Sequence, residues 1–536
     1  MDKRKFYITT PIYYVNDKPH VGSAYTTIAA DALARAHRLR QIPTYFLTGT
    51  DENSQKNLEA AAKAGVDDLQ AYLDSMAEVW KRTWRELGIS FDDFIRTTEE
   101  RHHRGVERFW RAVEKSGDIN KATYEREYCV GCEEFKTPTD LLDGKCPLHP
   151  NRPLEKVSEE NYFFRASNYK QQLLDLYRDK PEFVQPQSRQ NEIRSYVESA
   201  FDDLSISRES KKLSCGIPVP GDDSQRIYVW FDALINYMTA VGYGTDDEMF
   251  RKWWPASLHL VGKDIIKFHC ALWPAMIMSA AKSDGLLQAE DGSALLPERV
   301  YAHGFFTIDG QKISKSLGNA VDPLDLAKKY PFDAVRYFLL REIPFGEDGD
   351  FSTKRLEERY ASDLGNRLGN LVNRVIAMSA KYFDGKVPQT DVEAAGEGMD
   401  DTVWDGAEGL AGLWSEAEKH IEAARLDLLL DQVWNSDGAS LTAANKLVEQ
   451  TQPFKLFKED PEKTAIVLYA LLEACRQYAW MVEPIMPNVA NGIIRQLGQD
   501  PDVEKAKGIE ELKKWGGLVP GTELHPGEVL FPRLIS

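Results

Sequence analysis

Two short stretches of this chain carry residue types suited to holding a nucleotide. Residues 11–23 read PIYYVNDKPHVGS, and residues 312–316, about 290 positions further on, read KISKS. The first stretch follows a strand-like run from Phe6 to Thr10 and leads into a helical pattern, with His20, Gly22 and Ser23 at the junction. A glycine at that point lets backbone approach a phosphate, and the first N–H groups and dipole of a helix favour an anion. KISKS sets Lys312 and Lys315 three apart on a turn, where both ammonium groups can reach one polyphosphate. Each motif makes chemical sense only if the fold brings the other to it.

A third stretch points to a metal. Cys129-x2-Cys132, thirteen intervening residues, then Cys146-x2-His149 gives two knuckles of two ligands each. Three thiolates and one imidazole fill a tetrahedral Zn²⁺ shell and leave no open position for water, so one structural ion per chain is expected. Gly131 and Pro147 sit inside the knuckles, where tight turns are needed. The other cysteines, Cys215, Cys270 and Cys475, are isolated, and Cys475 lies in an apolar helical run expected to be core. This usage fits a reducing compartment rather than a disulfide framework, so a cytoplasmic location is the default.

The elements that must position these residues follow from periodicity. A chain of 536 residues is too long for one core and implies roughly three to four domains. Strand and helix signals alternate through residues 1–115: strand 5–10, helix 22–40, strand 43–48, helices 54–64 and 67–87. That is the rhythm of a parallel α/β sheet. Residues 116–215 break into short segments carrying the Cys/His cluster, as an insertion would. The rhythm resumes with a short strand at 228–230 leading into 232–241, and a strand at 258–261 leading into a helix at 264–281. Beyond about 355 the chain is helical to about 498, with apolar residues at three- and four-residue spacing. The Gly/Glu/Asp-rich stretch 385–402 reads as a loop between helices.

Composition excludes little. Hydrophobic content of 43% with 11% aromatics is that of an ordinary globular protein, and no apolar run approaches the ~18 residues that span a membrane. The first residues, MDKRKFYITT, run directly into a strand pattern, so no targeting segment is expected. A net charge of −18 disfavours nucleic acid globally, yet phosphate contacts need only a local basic surface.

These motifs together resemble the class I aminoacyl-tRNA synthetases, and specifically methionyl-tRNA synthetase of the bacterial and organellar type. HVGS at 20–23 matches the family's HIGH motif and KISKS its KMSKS loop. TTPIYYVN, LTGTDEN at 47–53, YVWFDALINY at 228–237 and GKDIIKFH at 262–269 match further signature segments. The single Cys/His knuckle pair matches one zinc-binding form of the family's insertion, and the likeness covers essentially the whole chain.

The resemblance implies a Rossmann-like parallel-sheet catalytic domain (1–115 and 216–300) interrupted by a zinc-binding insertion (116–215). A KISKS and stem-contact region (301–354), an all-α anticodon-binding bundle (355–510) and a tail (511–536) would follow. The implied activity joins L-methionine to tRNA(Met) through an adenylate made from ATP with Mg²⁺. By resemblance, His20, Ser23, Lys312 and Lys315 act on the phosphates, with Lys315 weighted most, and His20, Gly22, Gly262, Asp264 and the two lysines bind ATP. Asp51 meets the α-ammonium. Pro11, Ile12 and Tyr14 line one wall of the methionine pocket, and Trp230, Ala233, Leu234, Tyr237, Ile265 and His269 the other. Asn370, Arg374 and Phe454 match anticodon-reading positions, with Arg367 at the same helical spacing.

This chain departs from the family pattern in places. Ser23 stands where the second histidine of HIGH is usual, Asn53-Ser54 replaces His-Gly, and Pro453-Phe454 replaces Pro-Trp at a helix-to-loop junction. The tail carries no further RNA-binding or dimerisation segment, so a monomer is expected. Two other classes share part of the pattern. One is a small-molecule adenylyltransferase of related fold, which needs neither the bundle nor the zinc insertion. The other is a synthetase-like RNA-binding protein without catalysis, for which Ser23 is the argument.

Overall fold

The computed structural model describes residues 5–136, 140–213, 215–308, 311–312, 321–399, 402–527 and 529–534. The chain divides into two compact units, Lys5–Ala30 with Thr44–His303, and Asp31–Pro43 with Gly304–Ser536.

The first unit is built on a six-stranded sheet in the order Asp93–Arg96, Thr44–Asp51, Phe6–Tyr14, Leu258–Gly262, Val300–His303, Val184–Gln185. Every neighbouring pair is parallel. The strands read as apolar runs because helices cover both faces of such a sheet, and Leu258–Gly262 is buried throughout. Chain order leaves Phe6–Tyr14 outward on one side and returns on the other at Leu258–Gly262. That reversal opens a crevice beyond the carboxyl ends of the two strands, the place where open α/β sheets bind ligands.

The first strand runs to Tyr14, four residues past the expected end, because its register with Thr44–Asp51 shifts between Thr9 and Ile12. The extra residue is a bulge, one of the few sheet positions where Pro11 is tolerated. Beyond it Tyr14 pairs with Asp51 across the sheet. Gly49 makes this approach possible: a Cβ there would stand 2.2 Å from the Ile95 carbonyl oxygen and 3.0 Å from Ile12.

Two expectations need correction. Residues 228–230 are not a strand. The strand Asp222–Ile227 ends before them in a separate three-stranded antiparallel sheet, and Tyr228 caps a helical turn, Val229–Ala233. Its carbonyl accepts from the Phe231 and Asp232 N–H groups at 2.9 and 3.0 Å. Burial in that turn overrides the β preference of the aromatic run. The helix expected at 264–281 is present but uneven: a 3-10 turn, Lys263–Ile265, a π stretch, Phe268–Leu272, and regular helix Trp273–Ala281.

The segment 116–215 carries a four-stranded antiparallel sheet, Glu134–Lys136, Ile119–Cys129, Glu155–Phe164 and Leu204–Ser205. Its helices Lys170–Asp179 and Gln187–Ser199 flank Val184–Gln185, which returns to the parallel sheet as its last strand.

The second unit is mainly helical. A small sheet joins Phe306–Ile308 to Gln311–Lys312 and Gly349–Asp350. Helices from Thr353 to Leu512 follow, including a short one, Val392–Gly396, inside the stretch read as loop. Two buried arginines organise it. Arg336 donates to Asp31 at 2.6 Å and to the carbonyls of Ile485 and Pro484. Arg476 pairs with Glu473 and reaches the carbonyls of Leu512 and Lys514, holding the last segment on the helix Pro461–Val482. Each pair is compensated by hydrogen bonds, as buried charges require.

Candidate functional site

The helix Val21–Leu39 begins at the first nucleotide motif. The His20 Nδ1 accepts from the Gly22 N–H at 3.0 Å, and the Ser23 Oγ accepts from the His20 N–H at 3.0 Å. This reciprocal arrangement is a capping box built from His and Ser. With Nδ1 accepting, Nε2 is the nitrogen that carries the proton in the neutral ring. Ser23 also donates to the His20 carbonyl at 2.7 Å and is 4% exposed, so its hydroxyl orders the helix start. A side chain at position 22 would press on the His20 ring at 2.9 Å.

Gly262 ends the neighbouring strand, and Asp264 stands exposed in the 3-10 turn that follows. Both thus lie with the His20 loop around the crevice. Lys315 lies outside the described residues, as does most of KISKS; Lys312 belongs by its backbone to a two-residue strand.

The expected amino-acid pocket gathers at the carboxyl ends of the same strands. Ile12, Trp230 and Ile265 pack against a core that includes Leu234 and Tyr237. The Trp230 ring stacks on Phe268 with centroids 3.8 Å apart. Ala233 and Leu234 are buried on the turn that begins at Val229. The His269 Nδ1 donates to the Ile265 carbonyl at 3.0 Å, so its Nε2 accepts from the Tyr237 hydroxyl at 2.7 Å. Burial pushes the His269 pKa down to about 4, which keeps the ring neutral. His259, between Thr9 at 2.7 Å and Trp273 at 3.4 Å, is pushed well below its ordinary value, first by burial and then by His269.

The two histidines make stability pH-dependent. Their folded pKa values lie below the unfolded value of about 6.5, so the unfolded chain binds more protons below that pH. Stability is therefore complete above about pH 6.5 and falls towards pH 4, by about 1.4 kcal/mol per pH unit for each histidine. Denaturant unfolding at pH 7 and pH 5 should show this loss in wild type and a shallower one in His269→Gln. Equal loss in both would assign it to other groups.

Below the pocket lies a set of buried carboxylates that sequence patterns did not single out as a group. Asp51 is 4% exposed; burial first, then Asp232 and Glu133, hold its carboxyl well above the ordinary range. It accepts from the Asn53 N–H at 3.3 Å. Asp232 accepts from the Asn53 side chain at 2.7 Å and from His102 Nε2 at 2.6 Å. The neighbouring Glu52 is held bidentately by Arg96 at 2.7 and 3.1 Å. Asn53 and Ser54, both departures from the family pattern, thus have structural partners: Ser54 caps the helix Gln55–Lys63 and donates to Glu133 at 2.6 Å. Asp232 sits within a signature segment, whereas nothing in the sequence marks His102 or Glu133. Cys215 lies against the Ser54 carbonyl at 3.7 Å; burial, then Glu133, push its thiol up to about 12, which makes it a poor nucleophile.

The metal ligands converge as expected. The donor atoms of Cys129, Cys132, Cys146 and His149 all lie within 4.8 Å of one another. Cys132 and Cys146 sulfurs are 3.4 Å apart, and His149 Nδ1 stands 3.3 Å from Cys132 and 3.8 Å from both Cys129 and Cys146. Zinc bonds of about 2.3 Å to sulfur and 2.0 Å to nitrogen give tetrahedral edges of about 3.5–3.8 Å. A Cβ on Gly131 would sit 2.4 Å from the His149 ring, so the knuckle accepts only glycine there without moving its ligand.

The remaining expected residues lie in the helical unit. Asn370 and Arg374 begin the helix Asn370–Tyr382, Asn370 exposed and Arg374 half-buried. Arg367 falls in the preceding π stretch, Tyr360–Gly369, and donates to Asn435 at 2.8 Å. Pro453 starts a helix, Pro453–Glu459, directly after a left-handed Gln452, so the junction joins two helices rather than helix to loop. Phe454 is 46% exposed.

Known proteins match both units. A family model for class I tRNA synthetases (M) matches residues 6–152 and 131–376, and one for the anticodon binding domain of methionyl tRNA ligase matches 432–536. The methionine–tRNA ligase of Thermotoga maritima is 45% identical over 99% of this chain and 80% of its own length. That of Synechocystis is 43% identical over 99% and 97%. A solved structure of Mycobacterium tuberculosis methionyl-tRNA synthetase in complex with methionyl-adenylate superposes with a TM-score of 0.88 at 40% identity, covering 99% of this chain and all of that one. A parallel sheet with its ligand crevice at the strand reversal, an apolar pocket above buried carboxylates and a Cys3His knuckle thus coincide with these matches, and the chain belongs to the methionyl-tRNA synthetase family of class I aminoacyl-tRNA synthetases.

Proposed function

We propose that this methionine–tRNA ligase works by positioning and charge neutralisation, with the roles divided as follows. A methionine carboxylate oxygen attacks the α-phosphorus of ATP, the bond to the bridging oxygen breaks, and its electrons leave with pyrophosphate. The 3′-terminal adenosine of tRNA(Met) then takes the acyl group and AMP departs. His20 Nε2 and the helix start at Val21 receive phosphate oxygens, Lys312 and Lys315 neutralise the departing pyrophosphate, and Gly262 and Asp264 hold the adenosine. Mg²⁺ bound with ATP would supply further positive charge on the phosphates. The observation that carries the reading is the neutral His269–Tyr237 pair in the apolar core that Trp230 packs against, with Tyr237 within reach of the Asp51 charge. Sulfur against aromatic rings gains about 0.3–1.5 kcal/mol. Homocysteine, one methyl shorter, would be disfavoured by about 1–3 kcal/mol only, so discharge of its adenylate in the same site is expected.

Zinc in the Cys3His knuckle is read as structural. Asn370, Arg374 and Phe454 are assigned to the anticodon, where an aromatic face contributes about 1–3 kcal/mol per stacked base. The domain division by residues 116, 216, 301, 355 and 511, a monomeric state and a cytoplasmic location belong to the same reading. Among the described residues no helix is long and apolar enough to cross a membrane.

Methionine-dependent exchange of pyrophosphate into ATP tests the proposal, with leucine, isoleucine, cysteine and homocysteine alongside. Lys315→Ala should lower exchange by about 10²–10³-fold while methionine binding by calorimetry stays unchanged. No exchange by folded, zinc-loaded wild type would favour the RNA-binding alternative.

A further inference from the structure

His102 is a fully buried histidine that neither the nucleotide motifs nor the metal knuckle uses. It lies on the helix Glu100–Lys115, and both ring nitrogens are engaged. Nδ1 stands 2.9 Å from the Thr239 hydroxyl, and Nε2 stands 2.6 Å from Asp232 Oδ1. The Thr239 hydroxyl donates to the Asn236 carbonyl at 3.3 Å, so its oxygen accepts from the His102 Nδ1–H. The contact with Asp232 then holds one further proton, without which two acceptors would face each other at 2.6 Å.

The run continues on the far side of Asp232. Its Oδ2 accepts from Asn53 Nδ2 at 2.7 Å, and the same nitrogen donates to the Thr97 carbonyl at 3.3 Å. Both amide protons are thus engaged, which fixes the Asn53 side chain in one rotation. Its backbone N–H donates to Asp51 Oδ1 at 3.3 Å, the only hydrogen bond to that carboxylate among the described residues. A helix, the helical turn Val229–Ala233 and the end of the strand Thr44–Asp51 are therefore joined by buried polar contacts. Apolar side chains would join the same elements without the cost of burying polar groups. What the polar run adds is direction, and it ends on the donor that faces Asp51.

We propose that His102 and Asn53 are positioning residues for the α-ammonium subsite: through Asp232 they hold the N–H of residue 53 against Asp51 and so orient its carboxylate. The assignment rests on the reading of Asp51 as the partner of the substrate ammonium and deepens it. Neither residue touches substrate in this account. Their influence reaches it only through Asp51, so it bears on ligands that carry an ammonium and spares contacts to the thioether and to ATP.

Paired ligands separate this role from a structural one. The KM values for L-methionine and ATP are measured in pyrophosphate exchange, with the inhibition constant of desamino-methionine, which keeps the methylsulfanyl side chain and carboxylate but lacks the ammonium. The variants are Asn53→Ala, His102→Leu and His102→Gln, with thermal unfolding as a check on integrity. Asn53→Ala and His102→Leu should raise the methionine KM roughly fivefold to tenfold, leaving the ATP KM and the analogue within about twofold of wild type. His102→Gln should lie near wild type, because a glutamine Nε2–H can still donate to Asp232. Equal weakening of methionine and analogue, an unchanged methionine KM, or a His102→Gln no better than His102→Leu would overturn the proposal. Should His102→Leu fail to fold, Asn53→Ala, which leaves Asp232 its histidine, decides on the same criteria. A wild type that binds methionine no better than the analogue would instead count against Asp51 as the ammonium partner, and so against the underlying reading.

Discussion

Replacing Asp51 by asparagine is expected to remove most methionine-dependent pyrophosphate exchange while making the protein more stable. The two effects share one cause. Asp51 is buried, and burial together with Asp232 and Glu133 raises its carboxyl well above the ordinary range, so ionising it in the free pocket works against the fold. A cationic substrate offsets that cost. Asparagine keeps the shape and the contact from the Asn53 N–H but removes the charge, so the free protein should gain about 1 kcal/mol or more. The ammonium, however, would lose its buried counter-charge, worth about 3–5 kcal/mol when one partner of such a pair is deleted, and exchange should fall by about 10²–10³-fold. Exchange kinetics and a thermal melt on the same preparation check both. A variant less stable than wild type, with exchange retained, would place the ammonium elsewhere.

Cys146→Ser is expected to release the metal and lower amino-acid affinity, although no metal ligand lies in the pocket. Structural zinc contributes about 10–16 kcal/mol of binding energy to a knuckle, so the four-donor cluster should not stay closed with a ligand lost. The left-handed turn at Glu133 lies between Cys132 and the strand Glu134–Lys136, and it receives hydrogen bonds from Ser54 and Tyr228. Opening the knuckle should therefore loosen the pocket floor and raise the KM for methionine more than that for ATP. Metal analysis should fall from one zinc per chain to near zero. Far-ultraviolet circular dichroism should change little, because the knuckle lies among short strands and turns rather than in a helix. Retained zinc, or equal changes in both KM values, would contradict this account.

Several elements were legible because their physics is local. The alternation of strands and helices through the first ninety or so residues follows from apolar periodicity, and the structure places them within a few residues of expectation. The metal ligands were legible because two knuckles confine four donors by sequence spacing alone, and they meet within 4.8 Å. The strand expected at 228–230 failed because the aromatic run YVWF favours a pleated surface in isolation, while burial against its neighbours makes it a helical turn. The extension of the first strand to Tyr14 was equally hidden, since a bulge at Pro11 depends on the partner strand and on space opened by Gly49.

By itself, the sequence determined the motif set, the α/β order with a helical second half, the Cys3His ligands and the family resemblance, all carried by residue type at fixed spacing. Only the tertiary structure decided which side chains act together. Val184–Gln185 returns from the insertion to the parallel sheet, Ser23 closes a capping box on His20, and His102 meets Asp232. His102 and Asp232 are 130 positions apart, and no periodicity links them. Their relation depends on burial between a helix and a helical turn, which exists only once distant segments have packed.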